Sequence, residues 1–147
     1  MISHIVVAVD ASPSSNRAVR LAGEMASKHG SKLTLLHVVR DMQLPDELRH
    51  MAEVEHIEGA RADVLKFVGD KILKEAKRRA SEEGATDIHK HVGEGDPAGV
   101  IIDFAKNNGA DMIVIGTRGQ GEVKSMLLGS VSRKVSNLTD TNCLIVH

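Results

Sequence analysis

Short apolar runs alternate along this chain with longer stretches in which apolar positions recur at helical spacing. Residues 5–9 form a continuous, mostly β-branched run, which is typical of a strand buried on both faces of a parallel sheet. Similar runs occupy residues 33–39, 112–115 and 143–146, and a weaker one covers residues 88–92. The pattern therefore predicts five strands.

Start and stop signals predict four helices between these runs. The pair Ser12-Pro13 opens the first helix and Gly30 closes it. Serine caps helix N-termini, proline suits the first turn, and glycine takes the left-handed conformation at C-termini. The pair Asp96-Pro97 opens another helix in the same way. The other two helices are predicted at residues 57–80 and 130–138.

Three helix-to-strand junctions share one form, in which a glycine is followed by a small residue and then by the strand. They are Gly30-Ser31, Gly84-Ala85 and Gly109-Ala110. The repeated order of strand and helix predicts βαβ units with right-handed crossovers, and hence a parallel sheet with helices on both faces. The expected fold is a single α/β domain over residues 1–147, with its five strands in the order 3-2-1-4-5.

Residues 41–55 do not fit this alternation, because they are long for a connection between a strand and a helix in such a fold. The segment contains Leu44, Leu48 and Met51, so a short extra helix and a flap are both open. It starts at the carboxyl end of the second strand, where ligands bind in doubly wound sheets. We expect it to flank or close over the binding site and to become ordered with ligand.

Composition and charge exclude several classes of protein. Nineteen Lys and Arg oppose twenty Asp and Glu, which gives a net charge of −1, unlike a basic nucleic-acid binder or a polybasic membrane-surface protein. Phe67 and Phe104 are the two aromatic residues, so the stacking platforms of single-strand binders are missing. The first apolar run is too short for a signal peptide or a membrane span. A cytoplasmic protein that binds neither nucleic acid nor membrane is expected.

Cysteine and histidine give no metal-site signal. The single cysteine, Cys143, is interpreted as a small buried hydrophobe. His89 and His91 share a strand face, and His50 and His56 are six residues apart, whereas zinc pairs on a helix are four apart and need further ligands. No residue is assigned to a metal.

The stretch after the fourth strand is the richest in residues suited to ligand binding. Gly116 follows the strand directly, where a lone hydrogen on Cα leaves room for a ligand, and Gly119 can supply a positive φ. Gly129-Ser130 opens a helix, whose free N–H groups favour a phosphate. Residues 116–134 carry four basic side chains and one acidic one, a local charge of +3. Spacing alone leaves two interpretations open: a phosphate site, or glycines that only make turns and hydroxyls that only cap a helix.

Signals for catalysis are weak. The chain has no Gly-x-x-x-x-Gly-Lys-Ser/Thr loop, and the turn after the first strand lacks Gly-x-Gly-x-x-Gly, so neither a P-loop NTPase nor a dinucleotide site is indicated. Ser12, Ser130 and Ser132 have no evident His and Asp partners, and no residue is placed to orient an attacking water. No catalytic residue is assigned.

The glycines of residues 116–130 resemble a known family. Gly116, Gly119, Gly129 and Ser130 are similar to the ATP-binding signature of the universal stress protein family: Gly, two residues, Gly, nine residues, Gly, then Ser or Thr. Four matching positions at fixed separation, between a strand and a helix, are a specific signal.

The resemblance extends over almost the whole chain. It includes Val9-Asp10 before a serine-rich helix start, residues 35–38, residues 93–97 and residues 127–131. One departure is Thr141-Asn142, where the family commonly has a Cys-Pro pair before the last strand. That departure concerns the turn, and hence the dimer edge, more than the nucleotide site.

The resemblance implies a set of nucleotide contacts at the matching positions. Asp10 and Val38 would lie on the adenine side, the latter acting through its backbone, and Gly116 would lie near the ribose. Six residues would line the triphosphate, mainly through N–H groups and hydroxyls: Arg118, Gly119, Gly129, Ser130, Val131 and Ser132. The implied fold is Rossmann-like, of the adenine nucleotide alpha hydrolase-like type.

The resemblance also implies a ligand, an assembly and a function. The expected ligand is ATP, with Mg²⁺ or Mn²⁺ held by its phosphates and by water, and the expected assembly is a homodimer through the last strand, residues 143–147. The expected function is that of a nucleotide-dependent stress-response module without efficient turnover. Two alternatives stay open: a dimeric interaction module of the same fold that binds no nucleotide, and a slow ATPase or phosphotransferase.

Overall fold

The computed structural model of the chain describes residues 1–40, 57–119 and 128–147. Its elements in chain order are β1 (His4–Ala8), α1 (Pro13–His29), β2 (Lys32–Val39), α2 (Ile57–Glu82), β3 (Ile88–Glu94), α3 (Pro97–Asn107), β4 (Met112–Gly116), α4 (Ser130–Leu138) and β5 (Asn142–Val146). The five strands and four helices predicted from the sequence are confirmed.

The strands form one sheet in the order β3-β2-β1-β4-β5, and every neighbouring pair is parallel. This is the predicted order. Because β1 connects through α1 to β2 on one side while α3 leads to β4 on the other, the connections diverge between β1 and β4. In doubly wound sheets a crevice opens at this point, outside the carboxyl ends of the strands.

Each face of the sheet carries two helices and its own buried cluster. Ile5, Val7, Leu33 and Leu35 pack with α1 and α2, whereas the next residues along the strands, such as Val6 and Leu36, pack with α3 and α4. Alternate residues of a strand point to opposite faces. The central strands are therefore apolar on both faces, which is why they are continuous apolar runs in the sequence.

The glycines at the three helix-to-strand junctions have the left-handed φ that a helix C-cap requires: Gly30 at 65°, Gly84 at 93° and Gly109 at 62°. At each junction the N–H of the following residue donates to the carbonyl of a buried alanine five residues earlier: Ala26, Ala80 or Ala105. These are the bonds of a Schellman-type cap. The helix ends predicted from glycine are confirmed.

The strand boundaries differ from the prediction by one or two residues, among them the carboxyl ends of β1 and β3. β1 ends at Ala8 rather than at Val9. β3 continues past Val92 to Glu94, because its backbone pairing with β2 persists to the end of that strand.

The predicted flap, residues 41–55, lies outside the described residues. Within residues 1–40, 57–119 and 128–147, no helix has the length and apolar character needed to cross a membrane.

Candidate functional site

A cleft of about 760 Å³, its open mouth included, lies at the carboxyl end of the sheet, where the connections of β1 and β4 diverge. Of the nine predicted site residues, eight line the cleft: Asp10, Val38, Gly116, Arg118, Gly119, Gly129, Val131 and Ser132. The ninth, Ser130, is the exposed first residue of α4 and is not part of this lining. The loops singled out by the sequence therefore converge on one place.

The turn from β1 into α1 forms one wall and is tied to the end of β4. The hydroxyls of Ser12 and Ser14 both donate to the carbonyl of Arg118, at 3.1 and 2.8 Å. The Asp10 carboxylate accepts from the N–H of Ser12 at 2.8 Å. Ala11, between them, has a φ of 66°, a costly conformation for a residue other than glycine. The surrounding hydrogen bonds hold this turn in place.

Gly116 is required by close packing rather than by a ligand. A Cβ at this position would lie 2.7 Å from two backbone atoms of α1, the carbonyl carbon of Ser14 and the nitrogen of Ser15. The predicted reason, room for a ligand, is therefore wrong, although Gly116 does border the cleft. The hydrogen on its Cα allows the start of α1 to approach the end of β4.

Gly119 also differs from the expectation. Its φ lies outside the left-handed region, and a Cβ there would lie 2.9 Å from Oδ2 of Asp10. The predicted positive φ is wrong, and a side chain at this position would require the end of the Asp10 side chain to shift. The contact brings Asp10, which the family resemblance places on the adenine side, against a residue that it places beside the phosphates.

The N-terminus of α4 lacks the kind of side-chain cap that α1 and α3 possess. Ser12 caps α1 and Asp96 caps α3, each by accepting a backbone N–H. The N-cap of α4 is Gly129, which makes no side-chain cap hydrogen bond. The first N–H groups of a helix have no partner within it. The N-terminus of α4 therefore combines these donors with the positive end of the helix dipole.

The carbonyl of Thr117 connects the start of α4 to the end of β4 through two hydrogen bonds. Its carbonyl accepts from the N–H of Gly129 at 2.6 Å and from the hydroxyl of Ser132 at 2.8 Å. The expectation that the Gly129 N–H and the Ser132 hydroxyl face a phosphate thus differs from the structure, in which both bind a protein carbonyl. Gly129 has an extended backbone, with φ −69° and ψ 168°, which any residue adopts.

Backbone groups of β2 face the cleft where β1 has ended. The N–H of Val9 donates to the carbonyl of Leu36 at 2.9 Å, so the backbone groups of Leu36 point towards β1. Those of Val38, two residues further on, point the same way. Among the described residues, no backbone hydrogen bond joins Val38 to β1 or to the turn after it. Val38 therefore presents one N–H donor and one C=O acceptor at the cleft wall.

Sequence reasoning missed several residues of the cleft. Leu36, Pro97, Ile101 and Ile115 supply apolar lining, and Arg40 adds a second arginine beside Arg118. Pro97 and Ile101 belong to α3, which follows β3 and not the glycine-rich stretch. Their sequence signal, a helix starting at the carboxyl end of a strand, was available but was interpreted only as a cap.

The described residues form no protein site for a metal ion. No group of three or more His, Cys, Asp and Glu side chains lies close enough together within residues 1–40, 57–119 and 128–147. Asp10 is the one carboxylate among the described lining residues, and it already accepts the Ser12 N–H. Cys143 is half-buried on β5, where burial raises the pKa of its thiol, as expected of a packing residue.

Comparison with known proteins gives one family. The model of the universal stress protein family matches residues 1–147. Among curated relatives, the universal stress protein YxiE of Bacillus subtilis is 37% identical over 151 residues, and the match covers all of both chains.

Two solved structures of this family hold an adenine nucleotide. A universal stress protein in complex with cAMP is 31% identical with a TM-score of 0.71, and the match covers 99% of this chain and 97% of the other. The universal stress protein of Archaeoglobus fulgidus in complex with dAMP is 26% identical, again with a TM-score of 0.71, and the match covers both chains completely.

Proposed function

Because the chain belongs to the universal stress protein family, we propose that it binds ATP in the cleft at the carboxyl end of the sheet and holds it without efficient turnover. The main support for this proposal is that one cleft contains two different features, one suited to a base and one suited to phosphate. The backbone edge of Val38 suits a base, and the N-terminus of α4, which lacks a side-chain cap, suits phosphate. The cAMP and dAMP found in two relatives are consistent with an adenine ligand.

The base and the phosphates would occupy opposite walls of the cleft. Adenine would lie against Leu36, Pro97 and Ile101, with its polar edge on Val38. The phosphates would lie at the start of α4, beside Arg118. Two arginines, Arg40 and Arg118, and one carboxylate among the described lining residues give the cleft as a whole a positive charge, which suits a polyanion. Asp10 would lie on the adenine side with Val38, and Gly116 near the ribose, as the family resemblance implies.

A divalent ion would be bound chiefly by the ligand. Mg²⁺ or Mn²⁺ keeps several waters and takes phosphate oxygens readily. The described residues would supply at most the Asp10 carboxylate. The ion would neutralise phosphate charge, while the chain's own N–H groups orient the phosphates.

Slow or absent hydrolysis follows from what lines the cleft. A phosphoryl transfer site positions a nucleophilic water, commonly with a side-chain carboxylate or amide. Among the described lining residues, Asp10 is the one side chain of this kind, and its Oδ1 accepts the Ser12 N–H. The site therefore favours retention of ATP, in a cytoplasmic protein whose nucleotide state alters a partner surface or a dimer.

The test is the identity of the ligand that the purified protein carries. Mass spectrometry of the heat-released small molecules should find ATP, and titration of the emptied protein should show one site per chain. The absence of any bound nucleotide, together with no heat on adding ATP and Mg²⁺, would favour the interaction module. Release mainly of ADP would favour the slow ATPase.

A homodimer through β5 is the second part of the proposal. The two edges of the sheet differ, because β3 exposes His89, Lys90 and His91, and charged edge residues block further pairing. The β5 edge instead carries partly exposed Cys143, Leu144, Ile145 and Val146. A second copy would cover this apolar edge. Light scattering at about 50 µM, well above a micromolar Kd, should give the mass of a dimer, and a monomer mass would refute this part alone.

A further inference from the structure

We propose that His37 is a positioning residue for adenine recognition, because its ring keeps β1 apart from the end of β2 and leaves the Val38 backbone open to the base. This inference rests on the adenine site proposed above. It concerns a side chain that does not line the cleft.

The ring of His37 forms a hydrogen bond with the Val9 carbonyl, which would otherwise continue the pairing of β1 with β2. Nδ1 of His37 lies 2.8 Å from the carbonyl oxygen of Val9. A carbonyl can only accept, so the ring nitrogen is the donor. In a parallel ladder the next bond after Val9 N–H to Leu36 would run from the N–H of Val38 to this same carbonyl. That bond does not form, and the carbonyl binds the side chain instead.

The direction of this hydrogen bond explains how the His37 side chain would end the pairing of β1 with β2. The side chain of His37 lies on the face of the sheet that is covered by α2, where its ring approaches Gly69. A carbonyl that accepts from this ring is turned out of the plane of the sheet, whereas the N–H of Val38 lies within that plane. The chain then leaves the sheet through Asp10 and the strained turn at Ala11.

Gly69 provides the space for the ring. It is a buried residue inside the long helix α2, where glycine is the least favourable residue after proline. A Cβ at this position would lie 3.2 Å from Cδ2 of His37 and 3.9 Å from Cγ2 of Val92. The first distance is too short without a shift of the ring. Gly69 is therefore unfavourable for the helix but leaves space for the His37 ring.

The open Val38 edge distinguishes bases by their donors and acceptors. The Watson–Crick edge of adenine places an acceptor, N1, beside a donor, the N6 amino group. The N–H and C=O of Val38 complement this pair. Hypoxanthine, the base of ITP, has an oxygen at position 6 and a proton on N1, so both of its groups oppose those of Val38. Correct placement of Val38 should therefore favour ATP over ITP.

The experiment compares two replacements of His37 in the full chain. In His37→Phe the ring remains without its donor, and in His37→Asn an amide can donate from nearly the same place. Titration calorimetry with ATP and with ITP should show ATP affinity about tenfold lower in the Phe variant, roughly the value of one or two hydrogen bonds. ITP affinity should change by less than about threefold, and the Asn variant should retain most of the preference of the parent for ATP.

The Val38 amide provides a readout that a purely structural role would not change. In the unliganded parent its N–H should exchange quickly with solvent, as measured by NMR. In His37→Phe it should become protected, since the Val9 carbonyl is free to accept it. An unchanged ATP to ITP ratio, or an unchanged exchange rate, would overturn the proposal.

Gly69→Ala provides a second test of the role of His37 in case the His37→Phe variant fails to fold. Alanine favours the helix but requires the ring to shift by a few tenths of an ångström, so the ATP preference should fall by less than in His37→Phe while the protein remains folded. Retention of the full preference would count against the role of His37. Failure of the parent itself to bind ATP would instead refute the proposed function, and the two failures are therefore distinguishable.

Discussion

The two ends of the sheet use polar residues in opposite ways. At the amino end, the buried ring of His4 lies between Oγ1 of Thr34 at 2.8 Å and the carbonyl of Asn108 at 3.2 Å. Nearby, the Asp111 carboxylate accepts the N–H groups of Ser3 and His4. These polar groups are satisfied by the protein itself.

At the carboxyl end, two backbone positions differ from this arrangement. The start of α4 has no side-chain cap, and Val38, which pairs with β3 on one side, has no backbone partner on its β1 side among the described residues. Unpaired backbone groups are costly when they are buried without a partner. This difference is consistent with the proposed site: the polar groups at the amino end contribute to stability, and we expect those at the carboxyl end to serve a ligand. Substitutions at the carboxyl end should therefore weaken ATP binding and leave the fold intact, whereas those at the amino end should lower stability and leave ATP binding intact.

The largest expected effect is at the start of α4. Gly129→Val adds three carbons to a buried residue that lines the cleft, where a phosphate is proposed to bind. The extended backbone of Gly129 accepts valine, so the fold should persist while ATP affinity falls at least about 100-fold, or about 3 kcal/mol. Calorimetry measures the binding and circular dichroism measures the fold.

Gly99→Ala is the matched control for Gly129→Val. Gly99 lies in the first turn of α3, whose terminus is capped by Asp96, and a Cβ there meets only ordinary contacts. ATP binding should be unchanged. Equal ATP affinity in the Gly129→Val variant and the parent would show that phosphate does not bind at the start of α4.

The converse substitution is at the amino end. His4→Ala leaves the buried Thr34 hydroxyl without its partner and opens a cavity, so the free energy of unfolding should fall by about 3 kcal/mol. ATP affinity should stay the same, because the site is at the other end of the strands. Urea unfolding and calorimetry on the same variant test both parts.

The exposed His29, at the end of α1, provides the control. His29→Ala should change the stability by less than about 0.5 kcal/mol. Loss of ATP binding in a folded His4→Ala variant would contradict the separation of the two ends.

A smaller effect is expected at the first residue of α4. Ser130→Ala removes one hydroxyl beside the proposed phosphates and should weaken ATP binding by about 1–3 kcal/mol, the value of a hydrogen bond to a charged group. Ser136→Ala in the same helix, whose hydroxyl donates to the carbonyl of Arg133, is the control and should leave binding unchanged. Similar losses in both variants would indicate an effect of the helix rather than of the site.

The order of elements was predictable from local patterns, because each strand is an apolar run and each helix end carries its own signal. Ser12, Asp96 and Gly30 act through neighbours within about five residues in sequence. The parallel sheet follows from that alternation. These features require no knowledge of distant contacts.

Several details that sequence reasoning missed depend on distant partners. β1 ends directly before Val9, whose carbonyl is bound by the ring of His37, 28 residues further along the chain. Gly116 was identified as a site residue for the wrong reason, since the atoms that exclude a Cβ belong to α1, about 100 positions earlier. His4 gave no signal as a structural residue, because its partners Thr34 and Asn108 come together only in the folded sheet.

The smallest expected effect is a pH dependence of stability that arises at the amino end. Burial lowers the pKa of His4 from its ordinary value of 6.5, although the Asn108 carbonyl and the charge of Asp111 oppose this shift while Lys32 and His89 add to it. The unfolded chain then binds a proton at a higher pH than the folded protein does. The contribution of His4 to stability is therefore complete above about pH 6.5 and is lost as the pH falls through the folded-state pKa. Urea unfolding from pH 7.5 to 5.0 should show this decline in the parent. His4→Gln, which cannot titrate, should show a smaller slope, and equal slopes in the two proteins would mean that the buried ring is not its source.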